Sequence, residues 1–298
     1  MVKNPRVQFY LPKSVADAMR LKQEFGESVE FVGGGTDLVL KLRRGVKTPI
    51  GLIQLPHCSG PVCWVEDGFV RISALCTITE LVGDVVLGQQ VPLLREALGR
   101  IGSPQIRNIS TLGGNLVNAC PACDSAPALL AYGASVKLET IQGHRVLPVE
   151  RFFAGPSKTE IHDNELLTEI HIPVPERVGE HTFFYKFGPR GSNVIASANL
   201  AVRVVVAESR VSSVRLAAGS IAPVPSRLRN VENILLRRSL DELDTIQMKA
   251  EITKLLTKDI SPISDIRGSR WYKSKAIEMA IFRVLEDLSA LRQQASEA

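Results

Sequence analysis

The sequence predicts an α+β protein: a larger N-terminal region of alternating short helices and strands, then a smaller antiparallel sheet with helices. Three observations carry this. The first 55 residues read as helix, strand, glycine-rich loop, helix, strand. Asp67-Gly68 and Gln142-Gly143 each sit between two apolar runs, as hairpin turns do. After Pro173-Val174-Pro175, three apolar strands precede three helical stretches, the order of an antiparallel sheet with helices packed on one face. A chain of 298 residues suits two domains at roughly 100–200 residues each. The break falls near 173–180, giving 1–175 and 176–298, with the first part divisible at about 55 into 1–55 and 56–175.

Ser14 with Asp17 opens a first helix, Val15, Ala18, Met19, Leu21 and Phe25 line one face, and Gly26 closes it. Val29–Val32 is a strand running into Gly33, Leu38–Arg44 a helix ended by Gly45, and Ile50–Leu55 a strand. Cys63–Glu66 and Phe69–Ile72 form a hairpin around Asp67-Gly68. Thr77 and Glu80 form a capping-box pattern for a helix ending near Val86. Pro92 begins a helix that continues over Leu93–Arg100, Ile101–Ser110 is irregular, and Ala126–Tyr132 is a helix ended by Gly133. Val136–Glu139 and Arg145–Pro148 form the second hairpin, and Leu166–Ile172 is a strand ending at Pro173. Then come strands Thr182–Phe187, Ala198–Ala207 and Val214–Ala218, and helices Val231–Arg237, Leu240–Leu256 and Ser269–Leu291.

At 45% hydrophobic and 22% charged the chain can bury a core. The net charge of +5 comes from scattered Lys and Arg with only 5% aromatics, which argues against nucleic acid. No run reaches the ~18 apolar residues of a membrane span. The N-terminus lacks a signal peptide's apolar segment, and five cysteines is an odd number, so a cytoplasmic protein is expected. Hydrolytic and metal chemistry find no support. H-x-x-x-H and G-x-S-x-G are absent, the five histidines are scattered, and no Cys/His quartet exists. No catalytic side chain and no metal ligand is predicted.

What stands out is a pair of glycine motifs, Val32-Gly33-Gly34-Gly35-Thr36-Asp37-Leu38 and Thr111-Leu112-Gly113-Gly114-Asn115. Each sets adjacent glycines beside an apolar run with short donors: Thr36, Thr111, Asn115. Glycine permits φ > 0 and close approach of a ligand to the main chain, and exposed N–H groups suit phosphate. Two such motifs can clamp the two phosphates of one dinucleotide. Neither G-x-G-x-x-G nor G-x-x-x-x-G-K is present, which excludes a Rossmann fingerprint and a P-loop.

The motifs resemble the two flavin loops of the FAD-binding subunits of molybdenum hydroxylases, the medium chains of the xanthine dehydrogenase and carbon monoxide dehydrogenase type. Gln105-Ile106-Arg107-Asn108 before the second motif and Asp124-Ser125-Ala126-Pro127-Ala128-Leu129-Leu130 after it extend the likeness. So do Tyr185-Lys186-Phe187 with Arg190, Leu216-Ala217-Ala218-Gly219 with Ala222-Pro223, and Trp271-Tyr272-Lys273. The resemblance implies a vanillyl-alcohol-oxidase-type FAD fold of two α/β subdomains, followed by a C-terminal domain of the CO dehydrogenase flavoprotein type. It implies that Val32, Gly33, Gly34, Gly35, Thr36, Asp37 and Leu38 hold the pyrophosphate and adenosine side. Thr111, Gly113, Gly114 and Asn115 would complete the clamp, with Ile101 and Gly102 near the cofactor. Asp124 would accept hydrogen bonds from the flavin, and Leu167 and Lys186 would lie near the ring. It further implies 2Fe-2S and molybdopterin-binding partner subunits, a molybdenum cofactor on the latter, and NAD+ or another electron acceptor. A stand-alone FAD-dependent oxidoreductase of the same fold is the alternative. Cys120-Pro121-Ala122-Cys123 is read first as a pair of thiols near the flavin, with a redox C-x-x-C as the alternative, because an iron–sulfur cluster needs about four thiolates.

Overall fold

The computed structural model describes residues 7–189 and 194–296. Arg190 lies outside them.

The chain opens on a three-stranded parallel sheet in the order Gln8–Tyr10, Gly51–Gln54, Val29–Val32. Ser14 caps the helix Val15–Phe25 by accepting from the Asp17 amide at 3.1 Å, and Gly26 ends it at φ +57. Ala18 and Met19 are buried as the spacing predicts, and Ala18 joins Val29 and Ile53 in a small core. Lys22 is buried too, its ammonium donating to the Val29 carbonyl at 2.7 Å. The strand Gln8–Tyr10 goes unread in the sequence because it is a three-residue edge strand whose Phe9 is exposed. Val29–Val32 delivers the chain to Gly33 at the carboxyl end of the sheet, where ligands of parallel sheets sit.

A five-stranded antiparallel sheet follows, in the order Cys63–Glu66, Phe69–Ser73, Leu166–Pro173, Ser135–Thr140, Gly143–Pro148. Asp67 (φ +51) and Gly68 (φ +78) both take the left-handed conformation that the tight two-residue turn requires. The Thr77/Glu80 capping box forms, with Thr77 N donating to Glu80 at 2.8 Å. Its helix, Ile78–Gly83, stops short of Val86 because Asp84 caps a new helix, Val85–Gln90, accepting from the Leu87 amide at 2.7 Å. Helix Pro92–Gly99 starts on its proline. The stretch 101–110 is not wholly irregular: Ser103 caps a helical turn, Pro104–Arg107. Helix Ser125–Tyr132 is buried at all of its positions and ends at Gly133, φ +68.

The C-terminal strands Glu180–Phe187, Ala198–Ala207, Arg210–Gly219 and Ser226–Arg227 form one antiparallel sheet. Both faces are covered. Leu200, Val202 and Val204 pack under the C-terminal helices, while Ala201 and Ala217 join the core built around helix Ser125–Tyr132. That double burial explains why Ala198–Ala207 reads as an unbroken apolar run, and it departs from the one-sided packing expected. Helix Arg229–Leu235 ends before Arg237, which is left-handed at φ +69. The stretch 240–256 is two helices, Leu240–Leu243 and Ile246–Asp259, because the Thr245 hydroxyl caps the second by accepting from Met248 N at 3.2 Å. Helix Arg270–Ser296 closes the chain. Among the described residues, no helix is long and apolar enough to cross a membrane.

Candidate cofactor cleft

The two glycine motifs meet. A Cβ on Gly34 would lie 1.7 Å from the Ile109 carbonyl oxygen, and one on Gly33 would lie 2.8 Å from the Thr111 hydroxyl. Side chains at either position would force the motifs apart. Between them runs a cleft of about 270 Å³, lined by Val32 to Leu38 on one side and by Thr111, Gly114, Asn115 and Ile101 on the other. A second hollow of about 340 Å³ adjoins it across Gly33 and Thr111.

The motifs serve the cleft differently. In the first, Gly35 takes φ +68, and the N–H groups of Gly33, Gly34, Gly35, Thr36 and Asp37 find no acceptor among the described residues. Five successive unmet donors at a corner that begins with three glycines make a cradle for an anion. The second motif is no left-handed turn. It is the start of helix Leu112–Val117, capped by Thr111. Its amides are spent: Leu112 N on Cys76 O (3.4 Å), Gly113 N on Ala74 O (2.8 Å), Gly114 N on the Thr111 hydroxyl (3.1 Å), and Asn115 N on Thr111 O (3.0 Å). Its glycines are there for proximity. A Cβ on Gly113 would lie 2.9 Å from Ala74 O, while Gly114 faces the cleft.

Side chains finish the donor set. The Asn115 carbonyl oxygen accepts from Ser125 Oγ (2.7 Å) and Cys123 Sγ (2.9 Å), which fixes its amide and leaves its NH2 as the donor for the cleft. Burial pushes the Cys123 thiol up to about 11, so it acts here as a weak donor rather than a nucleophile. Cys120 is also a free thiol. Sequence reasoning missed Ser110, Lys41, Lys47 and Asn118, all of which line the cleft. The buried Ser110 hydroxyl oxygen has no partner among the described residues. Lys47 pairs with Glu30, and Lys41 donates to the Asn118 side chain at 2.6 Å. The Lys41-Leu42-Arg43-Arg44 run carried the only sequence signal for any of these, and it reads as a solvated helix end.

Of the remaining predicted residues, Gly102, Asp124, Leu167 and Lys186 are not among those lining the cleft. Asp124 and Lys186 come together: the ammonium donates to the carboxylate at 2.5 Å and to Arg100 O at 2.6 Å. Asn199 donates to the other carboxylate oxygen at 2.8 Å. Burial pushes the Asp124 carboxyl up, and Lys186 and Asn199 pull it back. Lys186 is thus a shielded partner joining the C-terminal sheet to helix Ser125–Tyr132. Leu167 is 2% exposed, inside the core at a β-bulge. Gly102 takes φ +52 beside Ile101.

Unmet amides, the orphaned Ser110 hydroxyl, the Asn115 amide and a lysine suit a diphosphate, so the residues present fit the phosphate end of a flavin dinucleotide. Comparison with known proteins leads to the same chemistry. Residues 5–175 match the family model for the FAD binding domain in molybdopterin dehydrogenase, and residues 183–288 match the CO dehydrogenase flavoprotein C-terminal domain. The xanthine dehydrogenase FAD-binding subunit of Escherichia coli O157:H7 is 27% identical over 95% of this chain and 96% of its own length. The carbon monoxide dehydrogenase medium chain of Afipia carboxidovorans is 29% identical over 95% and 96%. The solved carbon monoxide dehydrogenase of Hydrogenophaga pseudoflava superposes with a TM-score of 0.86 at 28% identity, over 95% of this chain and 96% of the matched one. The fold, the paired glycine motifs and the match of both family models make this chain a member of the molybdopterin dehydrogenase FAD-binding family, an oxidoreductase subunit of the medium-chain type.

Proposed function

We propose that the chain carries electrons within a molybdenum hydroxylase complex and does not itself oxidise the organic substrate. Electrons would arrive singly from 2Fe-2S clusters of one partner subunit, downstream of a molybdopterin-binding subunit, and leave to NAD+ or another acceptor. Bound FAD supplies the exchange between one-electron and two-electron transfer. The chain's residues bind and orient. The amides of Gly33 to Asp37 hold the diphosphate, Gly113 and Gly114 let the second motif approach, and Asn115 donates from the far wall. Thr36, Leu38 and Thr111 line the same cradle. On the ring side stand the paired Asp124 carboxylate and Lys186 ammonium, with Ile101, Gly102 and Leu167 assigned to the same side. The five unpaired cysteines support a reducing compartment, the cytoplasm.

The observation that carries this reading is the run of five unmet amides at a corner where a Cβ would strike Ile109. The test is direct. The purified chain is expected to be yellow, and NADH is expected to bleach it without any partner. A colourless protein that takes up no added FAD overturns the cofactor. A yellow protein that alone turns over an organic substrate makes it a stand-alone FAD-dependent oxidoreductase.

A further inference from the structure

We propose that Lys41 is the cation that closes the cleft on the cofactor's diphosphate, with Asn118 as its resting acceptor. The inference rests on the FAD reading and adds a residue that neither glycine motif contains. The amides of Gly33 to Asp37 offer only partial charge, whereas a diphosphate carries about two negative charges that need a full cation nearby. Two ammonium groups line this cleft. Lys47 is committed to Glu30. Lys41 forms no ion pair among the described residues, and its one acceptor is the neutral Asn118 side-chain oxygen at 2.6 Å. Its charge is uncompensated, and two of its three N–H donors are unspent. The carboxylates lining the same cleft are Glu30, already held by Lys47, and the exposed Asp37.

The mounting of Lys41 points the same way. Helix Leu38–Arg43 follows the cradle directly and has no buried residue. The bond from Lys41 to Asn118 joins it to the end of the helix that the second glycine motif begins, so it spans the cleft mouth from one subdomain to the other. A phosphate oxygen is a stronger acceptor for an ammonium than a neutral amide. The exchange of Asn118 for phosphate moves one flexible side chain and costs no burial.

The test uses the full chain stripped of flavin, with FAD and ADP as separate probes, since both carry a diphosphate. Lys41→Met is expected to weaken each about 10- to 100-fold, the loss typical of one charge-assisted bond. It should also flatten the dependence of affinity on salt. Lys41→Arg should recover binding to within about threefold, because the charge and donors remain. Asn118→Ala should tighten binding by removing the competing acceptor. Unchanged FAD and ADP affinity in Lys41→Met, or an unaltered salt slope, overturns the proposal. So does a loss in Asn118→Ala as large as that in Lys41→Met, which would make the pair a brace. A wild-type chain that binds ADP and refuses FAD defeats the flavin reading while leaving Lys41 to be judged on ADP. One that binds neither defeats both.

Discussion

Gly34 and Gly114 face the same cleft for opposite reasons. Gly34 is hemmed in, since a methyl group there would overlap the Ile109 carbonyl. Gly34→Ala should therefore lower stability by about 3 kcal/mol, as severe overpacking does, and lose FAD with it. The urea midpoint and flavin fluorescence read both. Gly114 meets only the Thr111 hydroxyl at 3.0 Å and otherwise opens on the cleft. Gly114→Val should keep the thermal midpoint within a few degrees and still abolish FAD retention by filling the cradle. A Gly114→Val protein that stays yellow would move the diphosphate elsewhere. The sequence shows that these positions are glycine and that small donors surround them. It does not show what each glycine avoids, because Ile109 and Ala74 are partners only in three dimensions. Asn115 was legible as a donor. The Ser125 and Cys123 groups that aim it were not, and neither was the pairing of Asp124 with Lys186, which are far apart in sequence.

Among the elements, those set by local chemistry were read to within a residue or two. The Asp67-Gly68 hairpin, the Thr77/Glu80 box and the Gly26 and Gly133 stops all depend on neighbours a few positions away. Two misread boundaries lie where a second cap interrupts an apolar pattern, at Asp84 and Thr245, and periodicity alone runs straight through both; the strand expected over Val214–Ala218 begins instead at Arg210, and the helix expected to end at Leu291 runs to Ser296. Helix Arg270–Ser296 owes its entry to a feature no pattern announces. Lys273, 1% exposed, is held by Asp265 at 2.9 Å, and Arg267 donates to the same carboxylate at 2.6 Å. Burial alone would raise the Asp265 carboxyl, but hydrogen bonds from Arg267 and Lys273 carry it well below the usual carboxylate range. A depressed carboxyl contributes stability that is present above its unfolded value, about 3.9, and lost as pH falls further. Asp265→Ala should remove that acid-side slope and cost about 3 kcal/mol at neutral pH by stranding Lys273. Urea melts at pH 7 and pH 3.5 measure both effects, and an acid slope equal to wild type would exclude Asp265 as its source.

At the scale of the whole molecule, the C-terminal sheet is shared property. One face packs on its own helices and the other on helix Ser125–Tyr132, with Phe184, Ala201 and Ala217 inside the first core. Ser220 N donates to Pro121 O at 2.7 Å and the Asn199 side-chain amide donates to Cys123 O at 3.2 Å, so hydrogen bonds reinforce the apolar contact. The two regions should therefore unfold as one cooperative unit. Trp64 lies in the first hairpin and Trp271 on the last helix, giving one reporter each. Trp64→Phe and Trp271→Phe single-tryptophan variants should show coincident urea transitions. Two separated midpoints would mean that the regions fold independently.

A sheet clad on both sides also sets how the gene can be cut. Ending translation at residue 175 would strip helix Ser125–Tyr132 of its lid and leave its apolar side facing water. Such a fragment should gather into inclusion bodies, and a flavin-binding module borrowed from this chain must bring its distant C-terminal region along.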